Sequence, residues 1–145
     1  MPEFELDPKL HEDSHLLGEL SLCQLRLMDN ALLPWFILVP KKATTGQSII
    51  EFHCLSNEEQ LSLLSEINLV SEFLSDEYHP DKINIASIGN IVSQLHIHIV
   101  GRYINDFCWP NVVWGQKTTK KYIPEDVVQL RLKINTHLGG RIKIS

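Results

Sequence analysis

Gln94-Leu95-His96-Ile97-His98-Ile99-Val100 alternates polar and apolar side chains, and its reading decides the fold. In an extended strand successive side chains point to opposite faces. Leu95, Ile97 and Ile99 then belong to a face that seals a core, while Gln94, His96 and His98 belong to a face expected to open onto a cleft. Same-face neighbours on a strand stand ~6–7 Å apart, so two imidazoles placed this way can address different atoms of one phosphate group. A neutral imidazole nitrogen is a nucleophile near neutral pH, and a second imidazole can supply a proton to a leaving group. The nucleophile needs its tautomer fixed through its other ring nitrogen, and a backbone carbonyl near residue 94 would do so.

Outward from this strand, Ser87-Ile88-Gly89-Asn90-Ile91 is a turn of small residues leading into it. Its backbone N–H groups at Gly89 and the Asn90 amide suit non-bridging phosphate oxygens. Lys82 to Ser87 alternates as a strand, with Ile83 and Ile85 on one side. Ser56-Asn57-Glu58-Glu59 is a capping box, and the apolar residues behind it recur at helical spacing through about Asp76, where His79-Pro80-Asp81 ends the element. Leu20 to Met28 and the apolar run Trp35 to Val39 read as an antiparallel pair joined by an Asp29–Pro34 loop, the second strand buried on both faces. Asp7-Pro8 opens a short helix to Asp13, and a C-terminal helix runs from Pro124 towards His137, stopped by Gly139-Gly140. This order is α+β, with a mainly antiparallel sheet of about five strands, one long helix and a closing helix.

The bulk composition fits one compact domain. The chain has 145 residues, 43% of them hydrophobic and 21% charged, with no linker or internal repeat. The motif core spans about 20–105, with a C-terminal extension over about 106–145. A net charge of −5 argues against bulk nucleic-acid binding, which rests on many Lys and Arg contacts to phosphates. Three cysteines without a C-x-x-C pair suggest neither a disulfide framework nor a zinc knuckle. The acidic start Met1-Pro2-Glu3-Phe4-Glu5 has no signal-peptide pattern, and the longest apolar run, Ala31 to Pro40, falls short of the ~20 residues a membrane span needs. A cytoplasmic location without membrane contact is therefore the expectation. No Walker or dinucleotide-binding glycine pattern occurs.

The alternating segment resembles the signature of the histidine-triad (HIT) superfamily, His-φ-His-φ-His-φ-φ with φ apolar, here with Gln94 in the first position. The resemblance extends to the strand ending in Val39-Pro40-Lys41-Lys42, to the long helix and to the strand opening at Asn84. Downstream, Trp109-Pro110-Asn111-Val112-Val113-Trp114-Gly115 is similar to a bacterial HIT-like hydrolase subgroup whose motif also begins with Gln. The resemblance implies a HIT-like fold and a nucleotide hydrolase or nucleotidyl transferase attacking the α-phosphate. It places the nucleophile at His96 and the group that contacts the phosphate and helps the leaving group at His98. It further implies phosphate or nucleotide contacts at Asn84, Gly89, Asn90 and Gln94, and a ribose loop at Asp29 and Asn30. The expected partners are a nucleotide or nucleotide conjugate as substrate and a second copy in a homodimer, with no metal and no cofactor. Two positions depart from the family: Gln94 replaces the first histidine, and Trp35 stands where many members carry a further one. Both departures remove expected hydrogen-bond support for the nucleophile.

Other readings of the same residues stay open. His96 and His98 suit two ligands of a metal, with His53 or His79 as unassigned third ligands. A nucleotide-binding module with little activity also fits a motif holding two of its three histidines. Trp109 and Trp114 read as packing anchors or as substrate or dimer contacts. Lys117, Lys120 and Lys121 form a basic cluster beside them that reads as a solvated loop or a nucleic-acid contact. Cys108 has no evident activating partner.

Overall fold

The computed structural model describes residues 3–44 and 47–145; Met1 and Pro2 of the acidic start lie outside it. A six-stranded sheet forms the centre. In chain order its strands are β1 (Ser14–Glu19), β2 (Cys23–Met28), β3 (Trp35–Pro40), β6 (Lys82–Ala86), β7 (Ile97–Arg102) and β8 (Lys143–Ile144). Two short strands, β4 (Ala43–Thr44) and β5 (Gln47–Ser48), pair separately. The sheet order is β6-β7-β3-β2-β1-β8, and every neighbouring pair is antiparallel.

Helix α1 (Pro8–Asp13) starts where expected, with the Asp7 carboxylate accepting the Lys9 N–H at 2.8 Å and proline in the first turn. Helix α2 (Asn57–Tyr78) begins in the capping box: Ser56 Oγ accepts the Glu59 N–H at 3.1 Å and Glu59 Oε1 accepts the Ser56 N–H at 2.9 Å. It ends at His79, which adopts a left-handed φ of 47° immediately before Pro80. Helix α3 (Pro124–Leu138) opens on its proline and stops at Gly139, whose φ of 58° suits glycine.

Both faces of the sheet are covered. On one face Leu25, Leu27, Phe36, Leu38, Ile97 and Ile99 pack against Leu63, Ile67, Val70 and Phe73 of α2 and against Val127, Leu130 and Ile134 of α3. On the other, Trp35, Ile37, Val39 and Val100 meet Leu10 of α1, Val92, Cys108 and Val113. Every residue of β3 is buried, as its continuous apolar run predicted. Gly101 marks the closest approach: a Cβ there would stand 2.8 Å from both Leu74 and Pro34 side chains, so β7 can lie against them only without one.

Three sequence expectations need correction. Leu20–Met28 is not one strand, because residues 20–22 turn: the Leu20 N–H reaches the Cys23 carbonyl at 2.8 Å, and the buried Glu66 carboxylate takes the Leu22 and Cys23 N–H groups at 2.8 and 2.9 Å. The preceding β1 was not anticipated. A register shift between Leu16 and Gly18 breaks its alternation, and together with the short β8 this strand brings the sheet to six. The motif segment joins the sheet only at Ile97 and not along its whole length from Gln94, because the Leu95 N–H bonds to the Ile49 carbonyl at 2.8 Å instead of joining the ladder.

Candidate active site

His96 and His98 share a face of the sheet and line a cleft of about 400 Å³ that opens to solvent, as expected, although each imidazole lies deep in it at 5% exposure. Lys9, Leu10 and Asp13 of α1 form one wall, Asn90, Ile91 and Val92 a second, and Val113 to Gln116 a third, with Met28 and Trp35 at the floor. The two imidazole centroids lie 4.8 Å apart at 75°, nearer than same-face strand spacing predicts. His96 itself lies just before the strand, which begins at Ile97.

His96 Nδ1 lies 2.7 Å from the Gln94 carbonyl. A carbonyl only accepts, so Nδ1 carries the proton and Nε2 keeps its lone pair for the cavity. This is the tautomer a nucleophile requires, and it is fixed by backbone, independent of the residue 94 side chain. His98 has the opposite arrangement. The Trp35 indole N–H donates to His98 Nδ1 at 3.0 Å, and since indole is a donor only, the His98 proton resides on Nε2. Burial, followed by the neighbouring His96, pushes the His98 pKa down to about 3. Trp35 and Trp114 enclose the ring edge-on, at centroid distances of 5.8 and 5.5 Å, so His98 is neutral and sterically held.

Trp35 therefore supports His98, while the nucleophile candidate His96 takes its support from the Gln94 carbonyl. Pairing of Ile37 with His98 and of Trp35 with Val100 sets the indole diagonal to His98 on the same face. That relation could have been read from the sequence once the strand pairing was assigned.

Gln94 is placed elsewhere. Its side-chain carbonyl accepts the Asp7 N–H at 2.8 Å, and its amide donates to the Glu5 carbonyl at 2.8 Å and to Ser48 Oγ at 3.2 Å. The side chain clasps the N-terminal segment, outside the cavity lining. Asn90 lines the cavity, whereas Gly89, in the same turn, does not. The Asn84 carbonyl accepts from Arg102 at 3.0 Å, outside the lining. Asp29 and Asn30 line an adjoining cavity of about 320 Å³ that shares Asp13, Met28, Trp35, Val113 and Gln116 with the first. Both also tie down the following loop: Asp29 Oδ1 accepts the Tyr122 N–H at 3.0 Å and Asn30 Oδ1 the Lys120 N–H at 3.4 Å. Lys121 joins the lining of this second cavity, while Lys117, Lys120 and Lys121 are all exposed.

The loop that supplies Val113 and Trp114 hangs on a buried ion pair not foreseen from the sequence. Arg102 donates to Asp106 at 2.8 and 3.2 Å, to the Asn111 carbonyl at 2.7 Å and to Asn84. Asp106 also accepts the N–H groups of Tyr103, Cys108 and Trp109. Burial alone would raise the Asp106 pKa, but Arg102 and these N–H donors outweigh it and hold the carboxyl down to about 2. Cys108 sits beside Arg102, yet burial still raises its thiol pKa, so it is not activated.

A mainly antiparallel α+β sheet that sets two imidazoles on one face, the first fixed by a main-chain carbonyl two residues back, defines a histidine-motif site suited to phosphate esters. The sequence profile of the HIT domain matches residues 9–105, and the chain belongs to that family. Its structure is similar to a histidine triad protein from Marinobacter aquaeolei VT8, at 37% identity and TM-score 0.89 over 97% of this chain and 99% of that one. A HIT protein from Sinorhizobium meliloti 1021 shares 38% identity at TM-score 0.87, covering 93% and 97% of the two chains. One from Bradyrhizobium japonicum shares 32% at TM-score 0.87, covering 94% and 98%. No curated protein sequence matches the chain significantly. Among the described residues no helix is long and apolar enough to cross a membrane.

Proposed function

We propose that this protein is a nucleotide hydrolase or nucleotidyl transferase that cleaves at the α-phosphate through a nucleotidyl-His96 intermediate. The observation that carries this reading is the hydrogen bond from His96 Nδ1 to the Gln94 carbonyl, which leaves Nε2 facing a cavity of nucleotide size. Attack by Nε2 forms the N–P bond as the P–O or P–N bond to the leaving group breaks. The imidazolium so formed keeps its Nδ1 proton against the Gln94 carbonyl, which stabilises the positive charge. Water or a second phosphate then displaces His96 and regenerates the neutral ring. The Asn90 amide is assigned to the non-bridging oxygens and the adjoining Asp29–Asn30 cavity to the ribose. The substrate is a nucleoside phosphoramidate, a dinucleoside polyphosphate or a related conjugate. The motif beginning with Gln94 assigns the chain to the HIT-like hydrolase subgroup of that form, acting as a cytoplasmic homodimer.

Metal ligation by His96 and His98 is less well supported. Among the described residues no group of three His, Cys, Asp or Glu side chains could hold a metal ion, and His53 and His79 are both exposed. The test is incubation with phosphoramidates and dinucleoside polyphosphates, followed by intact-mass detection of a nucleotidyl adduct. The expected result is turnover with a trapped adduct, both lost in His96→Ala. No turnover and no adduct in the wild type, or undiminished turnover in His96→Ala, refutes the reading. Tight calorimetric binding of a mononucleotide without turnover would instead mark a binding module.

A further inference from the structure

We infer that Trp35 is a positioning residue that locks His98 as a neutral Nε2–H hydrogen-bond donor, unable to act as an acid, so that the site favours leaving groups departing as stable anions. This inference rests on the reaction proposed above and names the substrate subclass it takes. The geometry is direct. To protonate a leaving group, His98 must first be an imidazolium with protons on both nitrogens. Its Nδ1, however, faces the Trp35 indole N–H at 3.0 Å. A proton there would set two donors head to head, and the indole offers no lone pair to relieve them. Rotation out of this contact is opposed by the buried aromatic enclosure of Trp35, Trp114 and His96.

Charges around the ring do not favour the imidazolium. Lys9 and Asp13 of α1 are the charged residues in the cavity lining, and they pair with each other at 3.0 Å. Among the described residues His96 is the one other titratable group in that lining. The β6 residue opposite His98 is Ala86 and the β3 residue is Ile37, neither of which carries charge. His98 therefore contributes a fixed N–H to a phosphate oxygen. When His96 attacks, the electron pair of the breaking bond leaves with the departing group and no proton accompanies it from His98. Phosphate and nucleotide leaving groups bear that charge well; amines and alkoxides do not.

Two measurements test this. The first is ¹⁵N NMR of the histidine rings in wild type, Trp35→Phe and Trp35→His, which needs no substrate. The lock predicts a His98 Nε2–H tautomer in the wild type that persists unprotonated at pH 5, and a protonation midpoint raised by more than one pH unit in Trp35→Phe. A wild-type imidazolium at pH 6, an Nδ1–H tautomer, or an unchanged midpoint in Trp35→Phe overturns it. The second compares hydrolysis of the 4-nitrophenyl and phenyl esters of adenosine 5′-monophosphate. A positioned acid is worth ~10²–10⁴-fold to a poor leaving group, so its absence predicts that the wild type turns over the phenyl ester at least ~100-fold more slowly. Trp35→Phe and Trp35→His should narrow that ratio and add an acidic limb to the pH profile, which a purely structural role for Trp35 would not do. Equal wild-type rates on both esters overturn the leaving-group assignment. Absence of turnover and adduct with either ester overturns the proposed reaction, and the leaving-group assignment with it, while NMR alone then decides the lock.

Discussion

Replacing Asp106 by Asn should be among the most damaging single changes outside the two central cores. The Arg102 and Asp106 side chains are 2% and 3% exposed, and their oxygens and nitrogens meet at 2.8 and 3.2 Å. Removing one partner of such a buried pair leaves an uncompensated charge, which costs ~3–5 kcal/mol. In D106N the guanidinium loses its counter-charge and keeps neutral partners: the Asn84 side-chain oxygen, the Asn111 carbonyl, the weak Cys108 sulfur contact and the Trp109 ring. The amide keeps one acceptor for three N–H groups that the carboxylate now satisfies. A loss of ~4 kcal/mol is roughly a quarter or more of the ~5–15 kcal/mol available to a typical domain. Urea unfolding followed by circular dichroism measures it, with Asp126→Asn, on an exposed turn of α3, as a control expected within ~0.5 kcal/mol of wild type. Removing the charge as well, in R102M/D106N, should recover at least half the loss, because no buried cation remains. A D106N cost below ~1 kcal/mol, or a double variant as unstable as the sum of both singles, would refute an energetic role for the pair. The carboxyl adds a pH signature. Its folded pKa is depressed from 3.8 to about 2, so its contribution is complete above pH 3.8 and is lost as pH falls towards 2. D106N should lack that component.

Two further outcomes follow from the site. His98 is held near pKa 3 against an ordinary value of 6.5, so the unfolded chain binds the extra proton between those values. Stability should fall with decreasing pH across that window, by up to ~5 kcal/mol in full and by ~3 kcal/mol down to pH 4, and the dependence of urea midpoints on pH from 7 to 4 should flatten in His98→Asn; an equal slope in both proteins would exclude His98 as the source. Gln94→Ala removes side-chain bonds to Asp7, Glu5 and Ser48 but not the carbonyl that orients His96. It should cost ~1–3 kcal/mol and speed amide exchange in the N-terminal segment, while adduct formation at His96 stays within about threefold; a hundredfold loss of adduct would place the Gln94 side chain in the chemistry.

Local signals carried the elements whose determinants lie within a few residues of each other. The capping box at Ser56 and the proline-led starts of α1 and α3 are short-range hydrogen bonding, and they formed as read. Strand β1 was hidden because its bulge spoils the period of two on which strand reading depends. The hairpin turn before β2 was hidden because Glu66, more than 40 residues away, supplies its acceptor. The candidate site divides in the same way. The face shared by His96 and His98 and the carbonyl at Gln94 are properties of neighbouring residues, and both were legible. The walls of the cleft over that face were not, since they come from α1 and from a loop anchored by Arg102 and Asp106, whose contacts depend on tertiary packing.

The two departures from the family motif now have different physical meanings. At residue 94 the position supplies two things, a main-chain carbonyl and a side chain, and only the carbonyl touches His96. A side-chain change there can leave the nucleophile's tautomer intact, and glutamine, with both a donor and an acceptor, is free to clasp Glu5, Asp7 and Ser48. At residue 35 the side chain itself meets the second imidazole. A histidine there could donate or accept and so could follow a change in the protonation of His98, whereas tryptophan can only donate. The first substitution alters what holds the fold around the site, and the second fixes a protonation state within it. Comparing homologues that differ at residue 35 alone should therefore change leaving-group preference, while differences at residue 94 should appear mainly in stability.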